Sequence, residues 1–300
     1  MIKTVDAARG KWRGILLQLG IEDRFLRDKH GPCPMCGGKD RFRWDNRDGN
    51  GTYICGQCGA GNGLDLLMNV KGMVFLDAAR EVDRVSGNAM VEKPKQRLND
   101  ESRSRMLNEL WAGSKPIERG DLVFRYLSAR GINLTASLED IRFCESCRAP
   151  DGSYHPAMVA MVRQADDVAA TLHRTFLGDG CKADMSEPRA VMPGSIPPGS
   201  AIRLTKQSEV LGIAEGIETA FHASAKFGIP VWAAINSTML KKWEAPDGVK
   251  QVVIFGDNDI KFGGHAAAYA LAHRLAVKNI SVTVKIPEQT GMDWADSKAA

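Results

Sequence analysis

No apolar run in this 300-residue chain approaches the roughly 20 residues that cross a bilayer. The opening Met1-Ile2-Lys3-Thr4-Val5-Asp6 lacks the long apolar stretch of a secretory signal. A soluble, cytoplasmic protein with no membrane partner is expected. Cysteine is scarce and odd in number: seven cannot all pair as disulfides. They cluster as CxxC pairs, and a cytosolic setting disfavours disulfides, so metal ligation is the better reading. No internal repeat is visible. The net charge of +4 is too small an excess to argue for any partner by itself. No G-x-x-x-x-G-K-[ST] phosphate loop occurs anywhere.

What is present is an ordinary globular composition, 44% hydrophobic and 25% charged. At roughly 100–200 residues per domain the length allows two or three domains. Residues 1–29 read as a short helical lead-in with Ile15, Leu16, Leu17 and Leu19. Glycine and asparagine are dense from Gly31 to Gly63, as in a compact, loop-rich module. One helix is expected from Gly63 through Val82, and a polar linker over 86–104. Met106, Leu107, Leu110 and Trp111 fall at helical spacing, and a second helix covers Phe124 to Leu127. Strands are expected at Pro156–Val162 and Ala169–Leu172. The last hundred residues alternate short apolar strands with helices: strands at Val210–Ala214, Val231–Ile235, Val252–Phe255 and Ser281–Ile286, helices at Ile217–Phe227, from Thr238, and at Gly264–Val277. Such alternation implies a mostly parallel sheet covered by helices on both faces. The expected fold class is multidomain, α/β and α+β. Its parts are a zinc-ribbon domain (1–85), a helical linker (86–135), a mixed α+β subdomain (136–205) and a parallel α/β domain (206–300).

Cys33-Pro34-Met35-Cys36 and Cys55-Gly56-Gln57-Cys58 are CxxC pairs with 18 residues between them, 37 to 54. Each loop turns tightly and aims two thiolates inward, so two loops close a tetrahedron around Zn²⁺ with no place left for water. Gly37 and Gly59 after each pair let the backbone turn back toward the sulfurs. The site is read as structural, supplying folding energy to a module with few large apolar residues. His30 is not needed as a ligand. Cys144 and Cys147 form a third CxxC with no second pair nearby, only Cys181 and His155. Ordinary semi-buried cysteines are the plainer reading there, with a second metal site the minority one.

Lys39, Arg41, Arg43 and Arg47 are interleaved with Phe42 and Trp44. Cations beside planar rings suit phosphate attraction with base stacking; a solvated basic face is the plain alternative. Glu215 follows the first strand of the C-terminal sheet, and Asp257 and Asp259 follow the third. Ligands bind beyond the carboxyl ends of parallel strands, near a topological switch point. Carboxylates converging there repel unless a divalent cation neutralises them, and Mg²⁺ prefers oxygen ligands shared with substrate phosphates. Asp293 and Asp296 are further candidates. The plain alternative is that Glu215 caps a helix and the aspartates shape turns.

The run His30-Gly31-Pro32-Cys33-Pro34-Met35-Cys36-Gly37-Gly38-Lys39-Asp40-Arg41-Phe42 resembles the zinc-binding ribbon of phage and plasmid primases and primase-helicases. Glu215-Gly216 with Asp257-Asn258-Asp259 resembles the Toprim domain. The segment with His173-Arg174-Thr175-Phe176-Leu177 and Lys182-Ala183 looks like the region that precedes Toprim in mobile-element primases. Together the likeness covers roughly residues 28–75 and 115–296. It implies primer synthesis from nucleoside triphosphates on a single-stranded DNA template. It assigns a catalytic role to Glu215, and Mg²⁺ or Mn²⁺ binding to Asp257 and Asp259 with Glu215 and Asp293 as further ligands. Template contact would fall to Lys39, Arg41, Arg43 and Trp44, with Arg174 and Lys182 as phosphate or nucleotide contacts. The fused helicase of many such proteins is not found, so a separate replicative helicase is expected as partner, or action alone on single strands. Two other readings stand beside this one. A Toprim nuclease leaves the ribbon unexplained, and a topoisomerase needs an active-site tyrosine in a strand-passage module, which the four tyrosines do not evidently supply. A non-catalytic, zinc-dependent single-strand binder would not need the three acids.

Overall fold

The computed structural model describes residues 4–89, 100–134 and 137–296. Two compact units divide the chain, Met1–Leu98 and Asn99–Ala300. Of the expected 86–104 linker, residues 90–99 lie outside the described residues, and 100–104 are the start of a helix instead.

The first unit contains α1 (Thr4–Ala7), α2 (Trp12–Gln18), β1 (Gly31–Cys33), β2 (Gly37–Trp44), β3 (Tyr53–Cys55), β4 (Gly59–Gly61), α3 (Gly63–Lys71) and α4 (Phe75–Ser86). The strands form one sheet in sequence order, each antiparallel to the next. Asn62 opens α3: its side chain accepts the N–H of Leu64 and Asp65, and the Asp65 carboxylate accepts the Asn62 N–H at 2.8 Å. The single helix expected from Gly63 to Val82 is two. Gly72 adopts the left-handed conformation, φ 66°, and ends α3. The expectation of a core-poor module also fails. Trp12, Ile15, Leu16 and Leu66 are fully buried and pack with Phe42, Trp44 and Tyr53 from the sheet. The helices flanking the ribbon supply the apolar area that the ribbon lacks.

The second unit runs α5 (Asp100–Ala112), β5 (Lys115–Pro116), α6 (Leu122–Ala129), β6 (Ile141–Arg148), β7 (Tyr154–Arg163), β8 (Ala169–Phe176), β9 (Arg189–Val191), β10 (Ala201–Ile202), β11 (Val210–Ala214), α7 (Ile217–Phe227), β12 (Val231–Ala233), α8 (Ser237–Lys242), β13 (Gln251–Phe255), α9 (Gly263–Val277) and β14 (Ser281–Lys285). All ten strands share one sheet. The short β10 joins its halves: Ile202 pairs antiparallel with Ala233 of β12 and with Val162 of β7.

The C-terminal half is parallel, in the order β14-β13-β11-β12. The inner strands β11, β12 and β13 are mainly apolar because helices cover both faces, while β14 at the edge alternates, Ser281-Val282-Thr283-Val284-Lys285. From β11 the chain moves outward to β12, then returns to the other side for β13 and β14. The order therefore reverses between β11 and β13, which makes their carboxyl ends the switch point of the sheet. Among the described residues no helix is long and apolar enough to cross a membrane.

Candidate functional site

Two sites emerge, one in each unit. In the first, β1 and β2 carry Cys33 and lead from Cys36, while β3 and β4 carry Cys55 and flank Cys58. The four sulfurs lie within 4.8 Å of one another. Cys33 and Cys58 are 3.9 Å apart, Cys36 and Cys55 3.7 Å. A tetrahedron with Zn–S of about 2.3 Å has edges of about 3.8 Å, so the donor set fits Zn²⁺. The Met35 N–H points at Cys33 Sγ and the Cys58 N–H at Cys55 Sγ, both at 3.4 Å, as donors suited to thiolates. Gly37 and Gly59 have φ of 72° and 91°, the turn expected of them. Burial pushes Cys33 up to about 11 and raises Cys58 as well. Neighbouring sulfurs add to both, so the cluster needs a cation to ionise together. His30 is outside the cluster; its Nδ1 meets the Asp40 carbonyl at 2.9 Å.

The basic and aromatic residues beside these cysteines separate. They lie on β2, where successive side chains point to opposite faces. Lys39 is exposed and Arg41 and Arg43 are part-exposed on one face, while Phe42 and Trp44 face the core. Phe42 stacks on Tyr53 at 5.4 Å. Trp44, 2% exposed, does not have the free face that base stacking needs. Arg43 donates to Asp28 at 2.6 Å and Arg41 to Gln57.

At the switch point of the second unit, Ala214 and Phe255 are paired neighbours. Glu215 follows one and Asp257 lies two residues beyond the other. Asp257 Oδ1 is buried without a hydrogen-bond partner. Burial, then the charges of Glu215, Asp293, Asp259 and Asp296, push Asp257 up to about 8. Five acids thus share one electrostatic neighbourhood. They are not drawn into a ready cage: among the described residues only the four cysteines gather three or more ligating groups closely enough to hold an ion. Asp259 Oδ2 instead accepts the Gly264 N–H at 2.8 Å, holding the start of α9. A buried, partnerless carboxylate oxygen beside further acids nevertheless suits Mg²⁺, which takes one or two protein carboxylates and keeps water and phosphate for the rest.

Sequence reasoning missed the residues that hold this rim together. Asn258 donates its side-chain N–H to Pro287 O at 2.7 Å and its backbone N–H to Met292 O at 3.0 Å, which brings Asp293 toward Asp257. Trp294 packs edge-on against Phe227 and Phe255. A Cβ at Gly264 would overlap the Asp257 backbone, so only glycine lets α9 approach so closely. Glu218, in the first turn of α7, accepts from Lys182 at 3.0 Å and from the Tyr126 hydroxyl. Burial would raise Glu218, but Lys182 and Tyr126 outweigh it and hold the acid down at about 2. The pairing of three residues from distant segments leaves no signal in the sequence.

Arg174 is not placed for phosphate. It is 7% exposed, and its guanidinium donates to the backbone carbonyls of Arg148 and Val191 at 2.6 and 3.2 Å. Lys182 pairs with Glu218 at 3.0 Å instead. Cys144 and Cys147 are buried, reduced neighbours on β6. No third ligand stands with them among the described residues.

The chain thus joins a four-cysteine ribbon to an α/β domain with an acidic switch-point rim. Comparison with known families agrees with each part. Residues 28–64 match the zinc-binding domain of primase-helicase. Residues 210–299 match the Toprim domain. Residues 101–204 match a domain of unknown function, DUF7146. The protein carries a primase-type zinc ribbon followed by a Toprim domain. Among solved structures, the zinc-binding and RNA polymerase domains of the Aquifex aeolicus primase share 12% identity over 99% of this chain and 82% of that one, TM-score 0.40. The primase fragment of the bacteriophage T7 primase-helicase shares 13% over 89% and 92%, TM-score 0.37. The E. coli primase catalytic core shares 15% over 65% of each chain, TM-score 0.35.

Proposed function

We propose that this protein is a DNA primase that joins nucleoside triphosphates into short RNA primers on single-stranded DNA, releasing pyrophosphate, in phage or mobile-element replication. One observation carries the reading: a primase-type ribbon shares a chain with a Toprim rim whose central acid, Asp257, keeps a buried oxygen without a partner. Asp257 and Asp259 would hold Mg²⁺ or Mn²⁺, with Glu215 and Asp293 adjoining. Such a cation neutralises triphosphate oxygens and charge developing at the reacting phosphorus. Glu215, at the end of β11, is the group set to accept the proton of the attacking 3′-hydroxyl or to complete the metal shell. Lys182, held by Glu218, would meet the triphosphate from the other side. The outward face of β2, with Lys39, Arg41 and Arg43, would follow the template backbone and give salt-dependent affinity. A separate helicase would supply the opened strand.

The test uses purified protein, single-stranded DNA, labelled triphosphates and Mg²⁺. Short oligomers made by the parent and absent with Asp257→Ala support the proposal. Template cleavage would point to a Toprim nuclease, and strand binding without chemistry to a non-catalytic binder; either overturns it.

A further inference from the structure

Between Asp259 and α9 the chain passes through Ile260, Lys261 and Phe262. Phe262 is left-handed, φ 57° and ψ 21°. That region is costly for a bulky residue, whose Cβ crowds the following carbonyl. The backbone is nonetheless pinned there. The Phe262 N–H donates to Asp259 O, and its carbonyl accepts the Ala266 N–H, both at 2.9 Å. The ring gains little burial in return. It lies 5.3 Å from His265, edge-on, and remains 65% exposed; Ile260 beside it is 76% exposed. A turn with this shape would be met more cheaply by glycine or asparagine, and core packing does not explain the ring. Strained, over-determined residues gather at sites that bind something.

We infer that Phe262, with Ile260 alongside, is a stacking platform for a nucleobase whose phosphates lie at the acidic rim. Two apolar side chains are far smaller than the roughly 800 Å² per partner of a stable protein interface. One exposed ring three residues from Asp259 of the acidic rim suits a single flat, apolar face. Every base has such a face, so the contact is tolerant of sequence. This rests on reading the rim as a nucleotide site. The base belongs either to an incoming nucleotide or to a single strand.

The experiment measures binding by the full chain with Mg²⁺, using two matched pairs of fluorescent probes. One pair is a short deoxythymidine oligomer and an abasic strand of equal length; the other is a nucleoside triphosphate and inorganic tripolyphosphate. Phe262→Ala is expected to weaken a base-bearing probe by roughly 5- to 150-fold, the range for one lost stack. Its base-free counterpart should change less than about twofold. Phe262→Tyr should restore binding, and Phe262→Gly should match the alanine loss although it relieves the backbone. Loss confined to the triphosphate assigns the base to the nucleotide, and loss confined to the oligomer assigns it to the strand; both support the platform. Equal loss on base-bearing and base-free probes, no loss on either, or no binding by the parent overturns it. Asp257→Asn separates the two ideas. If it leaves all four affinities unchanged while the Phe262→Ala selectivity persists, the rim reading fails and the platform stands.

Discussion

Metal binding at the rim should be a competition with a proton on Asp257. Burial and four neighbouring acids push this group up to about 8, against an ordinary value of 3.8. At pH 7 an acid with that value is ionised in about one molecule in ten, so binding a cation releases about 0.9 proton. Each unit of pH below 8 then weakens apparent affinity about tenfold, about 1.4 kcal/mol, and the dependence flattens above about pH 9. The sign for stability comes from the same shift. Because the folded value is raised, the metal-free fold is favoured below about pH 4 and loses stability as pH rises toward 8. The loss has an upper bound on the order of 6 kcal/mol. A cation should restore it, so the gain in thermal midpoint with Mg²⁺ should be larger at pH 8 than at pH 6. Titration calorimetry at pH 7 in two buffers of different ionisation enthalpy counts the released proton. Asp257→Asn should remove the proton release and most of the midpoint gain. Affinity independent of pH, or proton release that survives in Asp257→Asn, would refute the placement of this acid as a buried ligand.

Other expectations concern the supports of the two sites. Gly264→Ala forces a methyl against the Asp257 backbone; overpacking of this kind should lower the thermal midpoint by roughly 3–10 °C and blunt the Mg²⁺ effect, read by melting with and without the ion. Tyr126→Phe removes a hydroxyl donated to buried Glu218, at about 1.5–3 kcal/mol. The Glu218 value is depressed, so its stabilisation is complete above about pH 4.5 and fades as pH falls toward 2. Losing the donor should move acid unfolding, followed by circular dichroism, to higher pH. Zinc should be present at one per chain by atomic emission, and chelation should raise hydrogen exchange over residues 31–61 far more than over 12–18, where Trp12 anchors the helical core.

What is legible in the sequence is whatever one element carries by itself. Val210–Ala214 and Ile217–Phe227 have the same bounds in sequence and structure because an unbroken apolar run and a glycine stop are local signals. The cysteine spacing is equally local, since two tight loops need no other part of the chain to define their geometry. The acids are legible only as strand-end residues. Their convergence depends on β13 returning to the far side of β11, which local pattern does not encode. Trp44 shows a different kind of miss. The alternation of Lys39, Arg41 and Arg43 with Phe42 and Trp44 is visible, but glycine-rich surroundings disguise β2 as loop. Once the segment is a strand, period two requires that interleaved cations and rings face opposite ways. Interleaving in a strand therefore argues against a joint stacking and phosphate surface. The same residues on a loop would have argued for one. Secondary structure, more than composition, decides what such a cluster can bind, and so the ring exposed near the acids is Phe262 in a turn rather than Trp44 in the ribbon.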